Sequence, residues 1–251
     1  MIHKLRRILL FAIQKTPFEK LARHIYSFLS ANKGSKYDKE TVKVIQKTIK
    51  RNSNCIDIGS YRGEILCELL KIAHQGKVFS FEPVPINHKY LLKKYKNALN
   101  YNLALSDNPG KASYYHVTGR PARSGLKKQI YPDPNEKINE IVVNVEKLDN
   151  VIPSNLKIDF IKIDVEGAEF LVMKGGEQLI KTNKPIIVFE HSVDYASQFN
   201  TTPEQIYDFL SCKCGLEISL MKDWLEGKEP FSRETFLNCV YSKCEFCFIT
   251  Y

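Results

Sequence analysis

An acid and two glycines follow a short apolar run, and their types and spacing could build a cofactor-binding turn. Asp57 precedes Gly59 and Gly63, which gives the pattern Asp-x-Gly-x-x-x-Gly rather than the nicotinamide fingerprint Gly-x-Gly-x-x-Gly. Glycines there let a ligand approach backbone N–H groups, which suit a carboxylate or phosphate. An acid at the strand end suits an amine or another positive charge. S-adenosylmethionine combines an amino acid end with a sulfonium, and a structural turn without ligand is the alternative.

A second acid, Glu82, ends the next predicted strand and stands 19 residues after Gly63. A carboxylate at that place can accept hydrogen bonds from both hydroxyls of a ribose. The alternative is an acid that ends a buried strand by chance. Together with the glycine turn, Glu82 therefore predicts a cofactor that carries a ribose.

Charged residues also occur on the predicted strand around residues 158–164. Lys162 and Asp164 share one face of this strand, because side chains alternate with a period of two. Burying an unpaired Lys would cost roughly several kcal/mol, so Lys162 should have an acidic partner. The candidate partners are Glu190, Asp57 and Glu166. Ligands bind at the carboxyl ends of such strands, which places Asp164 and Glu166 at the mouth of a site, although Glu166 could simply begin a helix.

Histidine and arginine side chains offer proton transfer and acceptor binding. His191 follows the predicted fifth strand and could take a proton from an attacking hydroxyl, or could be a hydrogen-bonded histidine at the rim. His116, Arg120 and Arg123 could orient a sugar or a phosphate, or could belong to a solvated loop. The candidate bases, in order of preference, are Asp164, His191 and Glu166.

The positive charge is concentrated near the start of the chain. The 251 residues carry a net charge of +9, of which residues 1–54 contribute +10 and residues 55–251 contribute −1. A nucleic-acid enzyme more usually carries basic charge around its cleft, so nucleic acid is not the expected partner. Residues 1–31 show helical spacing of apolar positions. They predict an arm that packs on the domain or on a second copy, or that contacts an anionic membrane surface.

Cysteine usage and hydropathy indicate a cytoplasmic protein, with membrane-surface contact left open. Seven cysteines is an odd number and favours free thiols in a reducing compartment. A zinc site would require the pairs Cys212/Cys214 and Cys244/Cys247 to converge, and no metal site is predicted. The apolar run within residues 1–13 is short for a signal peptide and is interpreted as a retained helix.

The order of predicted elements is that of a parallel α/β sheet with right-handed crossovers. The predicted strands lie at about 55–58, 77–82, 101–105, 158–164, 185–191, 216–221 and 246–251. The predicted helices lie at about 38–50, 63–73, 86–97, 167–180 and 203–213. The last two strands should form an antiparallel closing pair. Residues 111–152 interrupt the rhythm with two further alternating strands, and such an insertion often supplies an acceptor pocket and lid.

Five segments occur in a characteristic order along the chain. They are Ile56–Gly63, Phe81–Pro85, Asn102–Asp107, Ile161–Glu169 and Ile187–His191. Together they resemble the FkbM family of S-adenosylmethionine-dependent O-methyltransferases over about residues 38–195. The run Lys-Ile-Asp-Val-Glu-Gly-Ala-Glu, which begins at Lys162, is the most specific of them.

The resemblance implies a class I methyltransferase fold, with helices on both faces of a mainly parallel seven-stranded sheet and a reversed last strand. It implies that residues 57–63 hold the methionine end of S-adenosylmethionine, Glu82 the ribose, and the segment near Ala104 and Leu105 the adenine. The predicted cofactor-binding residues are therefore Asp57, Gly59, Ser60, Tyr61, Gly63, Glu82, Ala104, Leu105 and Asp164. One departure concerns the turn: relatives usually have Gly-Ala-Asn-aliphatic-Gly, whereas Tyr61 and Arg62 are bulky, and Arg62 could serve an acidic acceptor.

We therefore expect a basic helical arm at residues 1–50 and an S-adenosylmethionine-binding domain at 51–251. Since the relatives methylate hydroxyls of sugars or small natural products, the expected reaction is O-methylation of a sugar in a glycan or glycolipid. His116, Arg120 and Arg123 are the expected acceptor-binding residues. A nucleic-acid methyltransferase and a non-catalytic scaffold of the same fold are the alternatives, and a homodimer is left open.

Overall fold

The computed structural model describes residues 36–129, 136–243 and 245–251. Residues Glu40–Tyr251 form one compact unit. The arm at residues 1–31, with its alternatives of packing and membrane contact, lies outside the described residues. Among the residues that are described, none of the helices has the length and hydropathy needed to cross a bilayer.

Ten strands are assigned in the described ranges, and they form two sheets. They are β1 (Cys55–Ile58), β2 (Val78–Phe81), β3 (Leu99–Tyr101), β4 (Ala104–Leu105), β5 (Gly110–Val117), β6 (Ile138–Glu146), β7 (Phe160–Ile163), β8 (Ile186–Glu190), β9 (Ile218–Leu220) and β10 (Cys247–Thr250).

The α-helices of the described ranges are mostly short. They are α1 (Lys36–Thr48), α2 (Glu64–Ile72), α3 (Pro85–Lys94), α4 (Leu148–Val151), α5 (Glu169–Gly175), α6 (Glu177–Asn183), α7 (Val193–Ala196), α8 (Pro203–Tyr207), α9 (Met221–Leu225) and α10 (Arg233–Tyr241). Helix α8 continues as a π-helix, Asp208–Lys213, and short 3₁₀ turns occupy Pro121–Arg123 and Ser197–Phe199.

The larger sheet has seven strands in the order β3-β2-β1-β7-β8-β10-β9. All neighbours are parallel except β10, which runs antiparallel to both β8 and β9. The expected mainly parallel sheet with a reversed last strand is therefore confirmed. From β1 the chain adds β2 and β3 on one side of the sheet, and from β7 it adds β8 on the other side, so a topological switch point lies between β1 and β7. In open α/β sheets, ligands bind in the crevice at the carboxyl ends of the strands at such a point.

Burial explains why the central strands read as nearly continuous apolar runs. Every residue of β1 and β2 is buried, as parallel strands covered on both faces must be. One large hydrophobic cluster includes a residue from each of four neighbouring strands, β1, β7, β8 and β10. These residues are Ile56, Ile161, Ile187 and Phe248. This packing holds the central strands in register and thereby positions Asp57 on β1 and Lys162 on β7.

The smaller sheet is built mainly by the insertion. Strands β5 and β6 pair antiparallel over their whole length, which confirms the two predicted insertion strands, and β4 joins β6 in parallel. The prediction of one strand at 101–105 was wrong, because β3 ends at Tyr101 in the larger sheet and β4 begins at Ala104 in the smaller one. Asn102 separates them, and its side-chain amide donates to the carbonyls of Glu82 and Pro83, at 2.9 and 2.8 Å.

The helix predicted at 167–180 is also divided. It forms α5 and α6, which meet at Gly176. A Cβ at Gly176 would lie 2.8 Å from a methyl carbon of Leu148, so the close approach of α4 fixes the break. Helices α9 and α10 had no counterpart among the sequence predictions.

Candidate functional site

The glycine turn is a close junction between β1 and the segment after β7. Gly59 and Gly63 have φ of +78° and +79°, in the left-handed region that glycine adopts without penalty. A Cβ on Gly59 would meet the carbonyl oxygen of Asp164 at less than 3.0 Å. The turn therefore depends on glycine both for its backbone conformation and for the space that it leaves to Asp164.

The backbone N–H groups of this turn already have acceptors within the protein. The N–H groups of Gly59 and Ser60 donate to the carbonyl of Phe81 at 3.0 and 3.1 Å, and that of Gly63 donates to the carbonyl of Ser60 at 2.7 Å. The N–H of Tyr61 donates to Glu82 Oε2 at 2.9 Å. These four amides are consequently not available for an anionic ligand.

Glu82 closes the turn from the neighbouring strand end. Its Oε1 accepts from the N–H of Val84 at 2.9 Å and from the side-chain amide of Asn87 at 3.4 Å, while Oε2 accepts from Tyr61. Its burial, with 4% of the residue exposed, raises the pKa of Glu82. A carboxylate has about four acceptor positions, so Glu82 keeps capacity for one further donor on Oε2.

Lys162 lies between two carboxylates, which confirms that it has an acidic partner. It stands directly opposite Asp57 in the parallel register of β1 and β7. Its Nζ lies 3.6 Å from Asp57 Oδ1 and 3.3 Å from Asp164 Oδ2, and it donates to the carbonyl of Gly59 at 3.0 Å. The lysine thus joins the glycine turn to the end of β7.

The carboxylate of Asp57 is buried without a hydrogen-bond donor. The residue is 1% exposed, and neither side-chain oxygen has a hydrogen-bond partner among the described residues, because the ion pair with Lys162 is too long to be one. Burial raises the pKa of Asp57, and Lys162 opposes that effect. An acceptor pair of this kind fits a ligand that brings a positive charge and N–H donors.

The loop after β7 carries a second acid and is held by a third. Glu166 has φ of +58° and Gly167 of +102°. Glu169, which is 1% exposed, accepts from the N–H groups of Val165 at 3.1 Å and Gly167 at 3.0 Å. Glu169 therefore fixes the loop that presents Asp164 and Glu166. The sequence reasoning did not assign this role, and the signal available was an acid at the first position of an apolar helix.

The carboxyls of this region titrate well above their ordinary range. Burial raises the pKa of Glu166 to about 9, of Glu190 to about 8 and of Glu169 to about 7, and in each case the charge of Asp164 adds to the effect. The three side chains belong to different elements that converge at the carboxyl edge of the sheet. Such a cluster favours a bound cation, because a positive charge relieves the repulsion among the carboxylates. In the described ranges, no group of His, Cys, Asp and Glu side chains has the arrangement of a metal site.

The insertion reaches this loop through residues 123–129. The side-chain amide of Gln129 donates to the carbonyl of Glu166 at 3.0 Å, and Gln198 donates to Gln129 Oε1 at 2.7 Å. A Cβ on Gly125 would lie 3.4 Å from Cβ of Glu166. Arg123 is close enough to lower the pKa of Glu166 against the effect of burial. The structure thus brings Arg123, one of the predicted acceptor-binding residues, to the acids.

The other predicted histidine and arginine residues have different surroundings. His191 follows β8 and is 1% exposed, its ring nitrogens have no hydrogen-bond partner among the described residues, and burial lowers its pKa to about 4. His116 lies on β5 opposite Asn139, where partial burial lowers its pKa. Arg120 pairs with Glu136 at 3.3 Å. His116 and Arg120 make no hydrogen bond or ion pair with the acids in the described part of the chain.

The remaining predicted cofactor residues lie on β4 and in the glycine turn. Ala104 and Leu105 are buried in β4, shortly after Asn102, which binds the carbonyl of Glu82. Ser60 Oγ donates to the carbonyl of Asp57 at 2.8 Å, so it supports the turn from within. The segments that the sequence singled out therefore converge at the carboxyl ends of β1, β2 and β7.

Comparison with known proteins gives one family match and several similar folds. The family model described as Methyltransferase FkbM domain matches residues 57–218. No curated protein matches significantly. Among solved structures, Methyltransferase FkbM from Methylobacillus flagellatus KT is 15% identical with a TM-score of 0.47, and the match covers 92% of this chain but only 60% of that one.

Two other solved structures are also similar to this chain over most of its length. An O-methyltransferase from Bacillus cereus in complex with SAH is 14% identical with a TM-score of 0.42, and the match covers 100% of this chain and 98% of that one. A SAM-dependent methyltransferase from Aquifex aeolicus is 13% identical with a TM-score of 0.38, covering 84% and 87%.

Proposed function

Because this chain belongs to the FkbM methyltransferase domain family, and is thus an S-adenosylmethionine-dependent methyltransferase of class I fold, we propose that it methylates a hydroxyl of a sugar in a glycan or glycolipid. The observation that carries the proposal is the buried Asp57 carboxylate without a hydrogen-bond donor, beside the partly exposed Asp164. The first is suited to a cationic cofactor, and the second can be reached by an acceptor hydroxyl.

The residues around the turn fit S-adenosylmethionine. Asp57 would face its positive charge, and the free acceptor position of Glu82 would take one ribose hydroxyl. Since the amides of the turn are already used, the carboxylate end would rely on the amino terminus of α2. That terminus follows Gly63, which provides no side-chain cap, so its first N–H groups remain open to an anion.

The bound cofactor supplies an electrophilic methyl group on a sulfonium. The chain must then hold the acceptor oxygen in line with that carbon and remove its proton. We assign to Asp164 the role of the base that accepts the hydroxyl proton. Its side chain is 42% exposed at the mouth of the site and lies 3.3 Å from Lys162 Nζ. Its partial exposure lets an acceptor hydroxyl reach it.

Two other candidates are less suited to that task in the free protein. With a pKa of about 9, Glu166 carries its proton at neutral pH and cannot accept another at that oxygen. With a pKa of about 4, His191 is neutral and could accept a proton, but it is 1% exposed. Asp164 is therefore first in order, His191 second and Glu166 third.

Calorimetry with S-adenosylmethionine and a transfer assay with a panel of neutral and acidic glycans test the proposal. Release of the demethylated cofactor, together with a mass increase of one CH₂ on a glycan hydroxyl, is the expected result. Transfer to a nitrogen or carbon atom only, or cofactor binding without transfer to any glycan, would contradict it.

A variant pair tests the role of Asp164. Asp164→Asn should lower kcat by roughly 10²–10⁴-fold at saturating cofactor, because it removes proton acceptance. Asp223→Asn, on α9, is the matched control and should leave kcat unchanged. Full activity of Asp164→Asn would move the role to His191.

A further inference from the structure

A groove borders the insertion, and none of the residues assigned to the cofactor lines it. It has a volume of about 740 Å³ and opens to solvent between β5, the segment after Gly125 and the turn at Ser197–Phe199. Its volume lies within the usual range of small-molecule sites, about 300–1,000 Å³. The groove is therefore large enough for two sugar units.

Three lysines line this groove, and none of them has a carboxylate partner in the described part of the chain. Lys111 lies on β5, and Lys127 and Lys128 lie on the segment that follows Gly125. All three are exposed, and none forms an ion pair with a described residue, whereas Lys174 nearby is paired with Asp107. Three ammonium groups around one concave surface favour an anionic ligand.

The same surface also offers hydroxyl and aromatic groups. Lys111, Ser113 and Tyr115 share one face of β5 by the period of two, and all three line the groove. Phe199 faces it from the other side, and Gln198 adds an amide. Aromatic faces beside hydrogen-bonding groups suit a sugar ring, which has both apolar C–H faces and hydroxyls.

Residues that line the groove are linked by contacts to the proposed catalytic loop. Leu126 lines it and is the neighbour of Gly125, which lies against Glu166. Gln198, which also lines it, bonds to Gln129, and Gln129 bonds to the carbonyl of Glu166. A ligand that extends from the groove past Gly125 would therefore approach the acids.

We propose that this insertion groove binds an anionic saccharide, a sugar that carries a carboxylate or a phosphate, as the acceptor of methyl transfer. The inference rests on the proposed function and specifies its substrate class. The lysines bind the anionic group, the aromatic residues face the ring, and the hydroxyl to be methylated lies toward Asp164. Carboxylate and phosphate share the chemistry that the lysines recognise.

The test compares three forms of one disaccharide: cellobiose, its terminal uronic acid and its phosphate monoester. Binding is measured by calorimetry with and without S-adenosylmethionine, and KM is measured wherever transfer occurs. At least one anionic form should bind about tenfold more tightly than cellobiose, and the preferred form identifies the anion. The advantage should shrink as salt is raised.

A triple variant, Lys111→Gln, Lys127→Gln and Lys128→Gln, should abolish this advantage while cofactor affinity stays unchanged. The matched control is Lys43→Gln, Lys50→Gln and Lys96→Gln, which removes the same charge from exposed lysines outside the groove and should keep the advantage.

Several results would overturn the inference. They are equal affinity for neutral and anionic forms, no binding of any form, and equal losses in the two triple variants. Preferential binding of a single-stranded oligonucleotide that the groove variant abolishes would assign the groove to nucleic acid instead. Failure to bind S-adenosylmethionine would refute the proposed function, whereas cofactor binding without anion preference would refute only the groove assignment.

Discussion

Replacing Gly59 by Ala tests whether the junction of the β1 turn with Asp164 positions the site. Two costs are expected. The left-handed backbone at φ of +78° penalises any side chain by roughly 1–2 kcal/mol. The added Cβ would also meet the Asp164 carbonyl at less than 3.0 Å, and such overpacking typically costs about 1–3 kcal/mol.

Gly227 provides a control with the same backbone and no clash. Its φ is +74°, and a Cβ there would have no heavy atom within 4 Å. Gly227→Ala should therefore lose only the conformational part, about 1–2 kcal/mol, or roughly 2–8 °C in Tm for a chain of this size. Gly59→Ala should lose about 2–5 kcal/mol, or roughly 4–20 °C.

Gly59→Ala should also impair the site. The extra Cβ must displace Asp164 or the turn, and a misplacement of about 1 Å can lower the rate by roughly 10²-fold. Denaturant titration gives the stabilities, calorimetry gives the affinity for S-adenosylmethionine, and the transfer assay gives kcat. If both alanine variants lost the same stability and Gly59→Ala kept normal affinity and kcat, the close contact would have no role in positioning the site.

Two further predictions concern the buried carboxyls. Glu82→Gln should lower the free energy of unfolding by about 1–3 kcal/mol and weaken cofactor binding in calorimetry. The reason is that the new side-chain amide must face one of the N–H groups that now donate to Glu82. Glu217→Gln, at an exposed position, should have neither effect. The raised pKa values of Glu169, Glu190 and Glu166, about 7, 8 and 9, mean that the folded state holds protons that the unfolded state has released above about pH 4.5. The free energy of unfolding should therefore be highest near or below the unfolded pKa and fall steadily between pH 6 and 9, where the folded state loses these protons. Urea titrations in which Glu166→Gln and the parent fall equally would contradict the assignment.

The alternation of apolar strands and amphipathic helices was enough to predict the larger sheet, because each element carries its own period. The break between β3 and β4 was not predictable in the same way. Asn102 was assigned to a strand interior, but its amide satisfies two carbonyls at the end of β2 and lets the chain change sheets. That bond depends on residues about twenty positions earlier, and no local pattern records it.

The candidate site was likewise predictable only in part. The acidic partner of Lys162 was predictable, since burying its charge alone is costly and parallel register places Asp57 opposite it. The contacts of the insertion with Glu166 were not, because they join Gln129 and Gln198 to a loop 37 residues from the first of them. The sequence indicated that the insertion lies beside the site, but not which residues touch it.

The unusual middle of the glycine turn follows from how the turn is used. Its amides bond to Phe81, Ser60 and Glu82, so the residues between the glycines do not have to leave the backbone bare for a ligand. Tyr61 has φ of +45°, and Arg62 places its guanidinium 4.7 Å from the ring of Tyr90. Large side chains are tolerated there because the glycines serve the close approach to the segment after β7. In the proposed function, the carboxylates on the strand ends recognise the positive cofactor. By this reasoning Arg62 stabilises the turn through stacking on Tyr90. Arg62→Lys keeps the charge of the site but loses the planar contact, and it should therefore destabilise the turn.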